Sequence, residues 1–152
     1  MTTLTSKPVA HVNQVGLGVV HLTSDPGLQA FWILRIGFAV APILAGLDKL
    51  FHVLVDWDKY LAPIANRALA GHGHQFMLVI GIIEIAAGIG VALLPRVFAY
   101  VVAAWLAGII INLLSIPGYY DVALRDLGLA LAALALARLS AIYAPASADR
   151  VA

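Results

Sequence analysis

Asp48, Lys49 and His52 stand together in the stretch AGLDKLFH, at the end of a long apolar run. An acid, an ammonium and an imidazole so placed can hold an anion, donate to a carbonyl oxygen or pass a proton. Asp48 and His52 are four residues apart and share a helix face, which makes them a candidate proton relay with Glu84 as a further station. Glu84 sits in IGIIEIAAGIG, flanked on both sides by apolar or small residues. Arg35, Asn112, Arg125 and Asp126 are the other polar groups set into apolar runs, and with Asp48, Lys49 and Glu84 they form a candidate ligand-binding or buried-charge network.

The elements that must carry these groups are read from the apolar runs. A bilayer core of about 30 Å takes roughly 20 residues of helix. Four stretches meet that length, at about 28–55, 75–94, 97–116 and 122–144. The runs are continuous and rich in Ala and Leu, so membrane strands are not expected. Ser24-Asp25-Pro26 supplies a helix start, with a capping side chain followed by Pro in the first turn. Leu94-Pro95-Arg96 is so short a link that the second and third spans must be antiparallel neighbours. Pro117-Gly118 with Tyr119 and Tyr120 reads as a turn at the membrane interface. Between the first two spans, Tyr60, Leu61, Ile64, Ala68 and Leu69 recur near helical spacing and, with Trp57 beside them, predict a short interfacial helix. Residues 1–27 are predicted to be an N-terminal segment that is partly interfacial, and residues 145–152 a flexible tail.

Composition demands the same class of fold. Of 152 residues, 62% are hydrophobic and 11% charged, with a mean hydropathy of +0.97. Soluble domains carry about a quarter charged residues, so this chain has too few polar groups to coat a water-facing surface. A net charge of +1 gives no electrostatic basis for binding nucleic acid. The absence of cysteine excludes disulfides, thiolate catalysis and Cys-ligated metal centres. The N-terminus, broken by Pro8, His11, Asn13 and Gln14, does not read as a cleavable signal. The fold class expected is all-α, a polytopic four-helix antiparallel bundle.

At 1.5 Å per residue, Asp48, Lys49, His52, Asn112, Arg125 and Asp126 fall in one half of the membrane. Glu84 falls near its centre, and Arg35 and Arg138 lie in the other half. A lone charge near mid-bilayer costs about 2.5–3.5 kcal/mol on insertion scales. Pairs across helices are therefore expected: Lys49 with Asp126, Asp48 with Arg125, and Arg35 with Glu84. The bland alternative ends the first span at Leu47, so that Lys49 snorkels and Asp48 sits among headgroups. Arg125, Asp126 and Arg138 have the same alternative. Glu84 does not: it must be protonated, paired inside the bundle or beside water.

Inward-facing charges beside a small apolar cavity suit a ligand with a polar head and an apolar body. A quinone is one such molecule, since its carbonyls accept hydrogen bonds and a carboxylic acid can supply the proton. Of five histidines, only His52 lies in a span, so no second helix offers the partner for bis-His haem ligation. His72 and His74 lie two apart in the link with no third ligand nearby in sequence, and no metal site is expected from that spacing.

LRIGFAVAPILAGLDKLF, with Arg35, Gly37, Gly46 and Lys49, resembles the DoxX-like family of small four-helix membrane proteins. GIIEIAAGIGVALLP, with Glu84 and Gly88, and the RDLGLALAALAL run from Arg125 are similar to that family's second and fourth helices. The resemblance covers roughly residues 28–144. It implies a four-helix membrane fold and an accessory or quinone- or lipid-binding subunit of a membrane redox assembly such as a respiratory chain. Some members are linked to thiosulfate:quinone oxidoreduction, and the absence of cysteine here speaks against storing electrons on sulfur. The link from Asp56 to His74 and the N-terminal segment have no place in the family pattern.

No self-contained catalytic motif or covalently held cofactor is legible. The expected partners are the bilayer and other membrane subunits or further copies of the chain. A proton-coupled transporter centred on Glu84 and a purely structural scaffold are the alternatives. Localisation in a bacterial cytoplasmic membrane is expected, with both termini on one side. Lys and Arg divide evenly between the two sides, and Arg96 in its short turn favours the cytoplasm for the side holding the termini.

Overall fold

The structure, a computed structural model, describes residues 25–144. Among these residues it is entirely helical, with no strand. The elements are α1 (Pro26–Phe51), a 3-10 turn (Trp57–Tyr60), α2 (Pro63–Ala68), α3 (Gly73–Leu93), α4 (Pro95–Leu114) and α5 (Tyr120–Tyr143). Helices α1, α3 and α4 are long and apolar enough to cross a membrane. The expected N-terminal interfacial segment up to residue 24 and the C-terminal tail lie outside the described residues.

Local chemistry sets the helix ends. Asp25 caps α1, its carboxylate accepting from the backbone N–H groups of Gly27 (2.8 Å) and Leu28 (3.3 Å), with Pro26 in the first turn. The same carboxylate accepts from the Tyr143 hydroxyl at 3.0 Å, tying the start of α1 to the end of α5. At the other end α1 stops at Phe51, four residues short of the span read from hydropathy. The cause is Asp48. His52 takes the left-handed conformation (φ 54°), and the Asp48 carboxylate accepts from the N–H groups of Val53 (3.0 Å) and Leu54 (2.7 Å). Apolar character continues to Val55, but the backbone turns away because an acid satisfies it there.

Two extensive pairings organise the molecule, α1 with α3 and α4 with α5, and smaller contacts of α1 with α5 and of α3 with α4 close the ring. Contacts along the first pair run antiparallel: Lys49 meets Glu84 near one end and Arg35 meets Ala92 at the other. Close approach here depends on glycine. A Cβ on Gly81 would lie 2.8 Å from the Gly46 carbonyl oxygen, and the reciprocal addition on Gly46 would strike Gly81. Small residues at a helix crossing let backbones pack where lipid offers no hydrophobic drive. On α5 the buried positions Ala123, Asp126, Ala130, Ala133, Ala137 and Ser140 recur at alternating steps of three and four, a heptad seam of small residues.

The packed core lies toward the end where α1 begins. Phe31, Val91, Val102, Ala103, Leu136 and Ala137 cluster there, with Val91 and Leu136 wholly buried. The outward faces are apolar: Ile33 is 71% exposed, Leu93 71% and Leu124 70%. Surfaces of that kind are unfavourable in water and natural against acyl chains. The opposite end of the bundle is less tightly filled, and the polar groups gather there.

Candidate functional site

Lys49 on α1 and Glu84 on α3 form a buried ion pair, Nζ to Oε2 at 2.7 Å, with side chains 5% and 10% exposed. The Gly46–Gly81 crossing lies one turn away and brings the two helices near enough for the contact. The Lys49 ammonium also lies over the Trp57 ring, 3.5 Å from its centroid, a cation–π contact strengthened by desolvation. The Trp57 indole N–H donates to Asp48 Oδ2 at 2.7 Å. Asp48 therefore does two jobs: it ends α1, and it orients the ring that covers Lys49.

The link from α1 to α3 is held down from α4. The Asn112 side chain accepts from the Ala62 backbone N–H at 3.0 Å and donates to the Tyr60 carbonyl at 2.6 Å. An amide supplies both a donor and an acceptor, so one residue clamps two backbone groups of the link. Ala62 is buried, while Ile64 is 74% exposed. Tyr60, Leu61 and Ala65 line a cavity beneath the link, so this segment covers the bundle at that end.

That cavity measures about 530 Å³. Its polar lining is Lys49, Glu84, Asn112, Arg125 and Asp126, and its apolar lining includes Met77, Ile80 and Leu113. A second cavity of about 430 Å³ is lined almost wholly by apolar groups such as Leu34, Phe38, Ala41 and Leu129. Ala45, Glu84, Trp105, Leu106 and Ile109 border both cavities. Trp105 contributes a buried indole N–H that interacts with the Glu84 carboxylate but lacks a well-formed hydrogen bond, and such a group is a natural donor to a ligand oxygen or a water.

Five of the seven predicted network residues thus share one cavity wall, but their pairing differs from the expectation. Lys49 pairs with Glu84 and not with Asp126. Asp126, itself buried, pairs with its neighbour Arg125, whose Nε and an Nη each lie 3.1 Å from its Oδ1. Asp48 pairs with no arginine, because backbone N–H groups and Trp57 occupy it. Arg35 does not reach Glu84. Its guanidinium donates to the Ala92 carbonyl at 2.6 Å and stacks over Trp32 (4.9 Å) and Phe31 (5.7 Å). There it meets a carbonyl in the last turn of α3, at the negative end of that helix.

The relay through Asp48, His52 and Glu84 is not assembled. The His52 ring is exposed and stacks on His74, with centroids 5.3 Å apart. His52 and Asp48 are four apart, but the left-handed turn at His52 takes that residue off the helix face. Sequence reading missed Trp57 and Trp105 as site residues. Trp57 had a signal, since it follows an acid in a link rich in aromatics, whereas Trp105 is indistinguishable in sequence from any lipid-facing tryptophan.

Compared with family models, curated proteins and solved structures, the chain matches none.

Proposed function

We propose that the chain is a four-span integral membrane protein that binds an amphipathic molecule, quinone-like or lipid, between its helices, as an accessory subunit of a membrane redox assembly. On this reading α5 is the fourth crossing, its small-residue seam facing the bundle. The resemblance to DoxX-like proteins points the same way. The observation that carries the reading is the cavity itself. One wall presents an ammonium, an amide, a guanidinium and two carboxylates, most of the rest is apolar, and a second apolar cavity borders the same Glu84. Ligand sites are mostly apolar with a few convergent polar groups.

The polar residues suit hydrogen bonding to a head group. Lys49 commits one N–H to Glu84, and an ammonium has three. Asn112 is already used by the link. The test is native mass spectrometry of the protein extracted from membranes in mild detergent. Retained quinone or lipid, lost in Lys49→Met/Glu84→Leu, is the expected result, together with co-purifying redox subunits. Recovery of the folded chain alone and free of small molecules would refute it.

One observation favours a second reading. Glu84 borders both cavities, as a proton-coupled carboxylate between two access routes would. Uptake into proteoliposomes of the purified chain that is lost in Glu84→Gln would establish transport in place of accessory binding.

A further inference from the structure

We infer that His52, Asp58 and His74 form a surface site for a divalent transition-metal ion, and that the ion fastens the link between α1 and α3 over the cavity. Each residue offers one ligand atom, and these atoms lie within 4.8 Å of one another. Two imidazoles and one carboxylate are a donor set suited to zinc and its neighbours, with a position left for water.

The three ligands come from three elements that sequence reading kept apart. His52 follows the last residue of α1, Asp58 lies in the 3-10 turn, and His74 is in the first turn of α3. The histidine spacing in the link shows no third ligand, because the ligands that complete the set are supplied by the fold. His72, the near neighbour, is turned elsewhere, its Nδ1 3.0 Å from the Leu69 carbonyl oxygen.

The arrangement is partly built before any ion arrives. His74 Nδ1–H donates to Asp58 Oδ2 at 3.0 Å. Tetrahedral zinc with bonds near 2.0–2.1 Å places its ligand atoms about 3.3 Å apart, so this edge is already close to the required length. His52 is held by its backbone, since the Asp48 carboxylate fixes the turn in which it takes φ 54°. Its ring already lies against that of His74, at an interplanar angle of 28°. Metal binding at the His74 Nδ1 displaces the proton now shared with Asp58, so uptake of the ion releases that proton to solvent.

Binding would cross-link the two helices that carry Lys49 and Glu84. It would also fix Asp58, whose neighbour Trp57 covers the Lys49 ammonium. The site's existence does not depend on what the cavity holds.

The test uses the full chain without a polyhistidine tag, in detergent micelles, titrated with Zn²⁺ by calorimetry and with Co²⁺ by visible absorption. One equivalent is expected, with the d–d intensity of a four-coordinate ion. His52→Ala and His74→Ala should each weaken binding at least about tenfold, the scale on which altered metal surroundings act, while His72→Ala should leave it unchanged. Zn²⁺ should also slow amide exchange across residues 56–72 in the parent chain and not in His74→Ala. Binding of several equivalents that survives His52→Ala, or no binding at millimolar Zn²⁺, would overturn the inference. Binding without the change in exchange would overturn the fastening role.

Discussion

Replacing Glu84 with Gln removes one charge from a pair largely withdrawn from solvent, and the structure sets the scale of the effect. The contact is 2.7 Å long and both side chains are at most one-tenth exposed. Deleting one partner of a buried pair costs about 3–5 kcal/mol, because the other charge is left uncompensated. Glutamine keeps an acceptor in the same place and returns the net worth of about one neutral hydrogen bond, 1–1.5 kcal/mol. The expected loss for Glu84→Gln is therefore about 1.5–4 kcal/mol, and for Glu84→Ala the full 3–5 kcal/mol. The Trp57 face remains over Lys49 in both variants, so the cation–π contact cancels from the comparison. Lys49→Met/Glu84→Leu removes both charges together and should recover most of the loss, since an apolar pair of similar volume often matches or exceeds a buried ion pair in stability. The assay is reversible unfolding in mixed micelles, followed by circular dichroism, as a double-mutant cycle. If Glu84→Gln unfolds within about 0.5 kcal/mol of the parent, the spread allowed for non-interacting sites, the pair is not sequestered and the reasoning fails.

Gly81→Ala places a methyl 2.8 Å from the Gly46 carbonyl oxygen and must separate α1 from α3. A loss of about 1–3 kcal/mol is expected in the same unfolding assay, together with weaker coupling in the Lys49–Glu84 cycle. Asn112→Ala leaves the buried Ala62 N–H without its acceptor, at a cost of about 1–3 kcal/mol. Hydrogen exchange should report faster opening at Ala62 and Leu61 than at α4 itself. Asp25→Ala removes the cap of α1 and the Tyr143 contact, costing about 0.5–2 kcal/mol, with exchange accelerated at Gly27 and Leu28. Asp25→Asn should recover part of that loss, because its amide oxygen still caps the helix.

Hydropathy by itself determined that the chain is helical and membrane-bound in class, since few charges and continuous apolar runs leave no other way to satisfy the backbone. It also singled out Glu84 as the acid set deepest in an apolar run, and that side chain is buried. The cap at Asp25 and the hairpin at Pro95 were legible because both depend on neighbouring residues. Partner choice was not. Asp48 could equally have faced an arginine or its own backbone, and only the chain's turn at His52 decided for the backbone. Lys49 took Glu84, and not Asp126, because glycines at 46 and 81 set α1 closer to α3 than to α5 at that depth, a distance no one-dimensional pattern encodes. The gathering of His52, Asp58 and His74 likewise required the link to fold back between two helix ends. Depth along a helix follows from counting residues. Which side chains meet at that depth follows from helix rotation and separation, and those are set by packing.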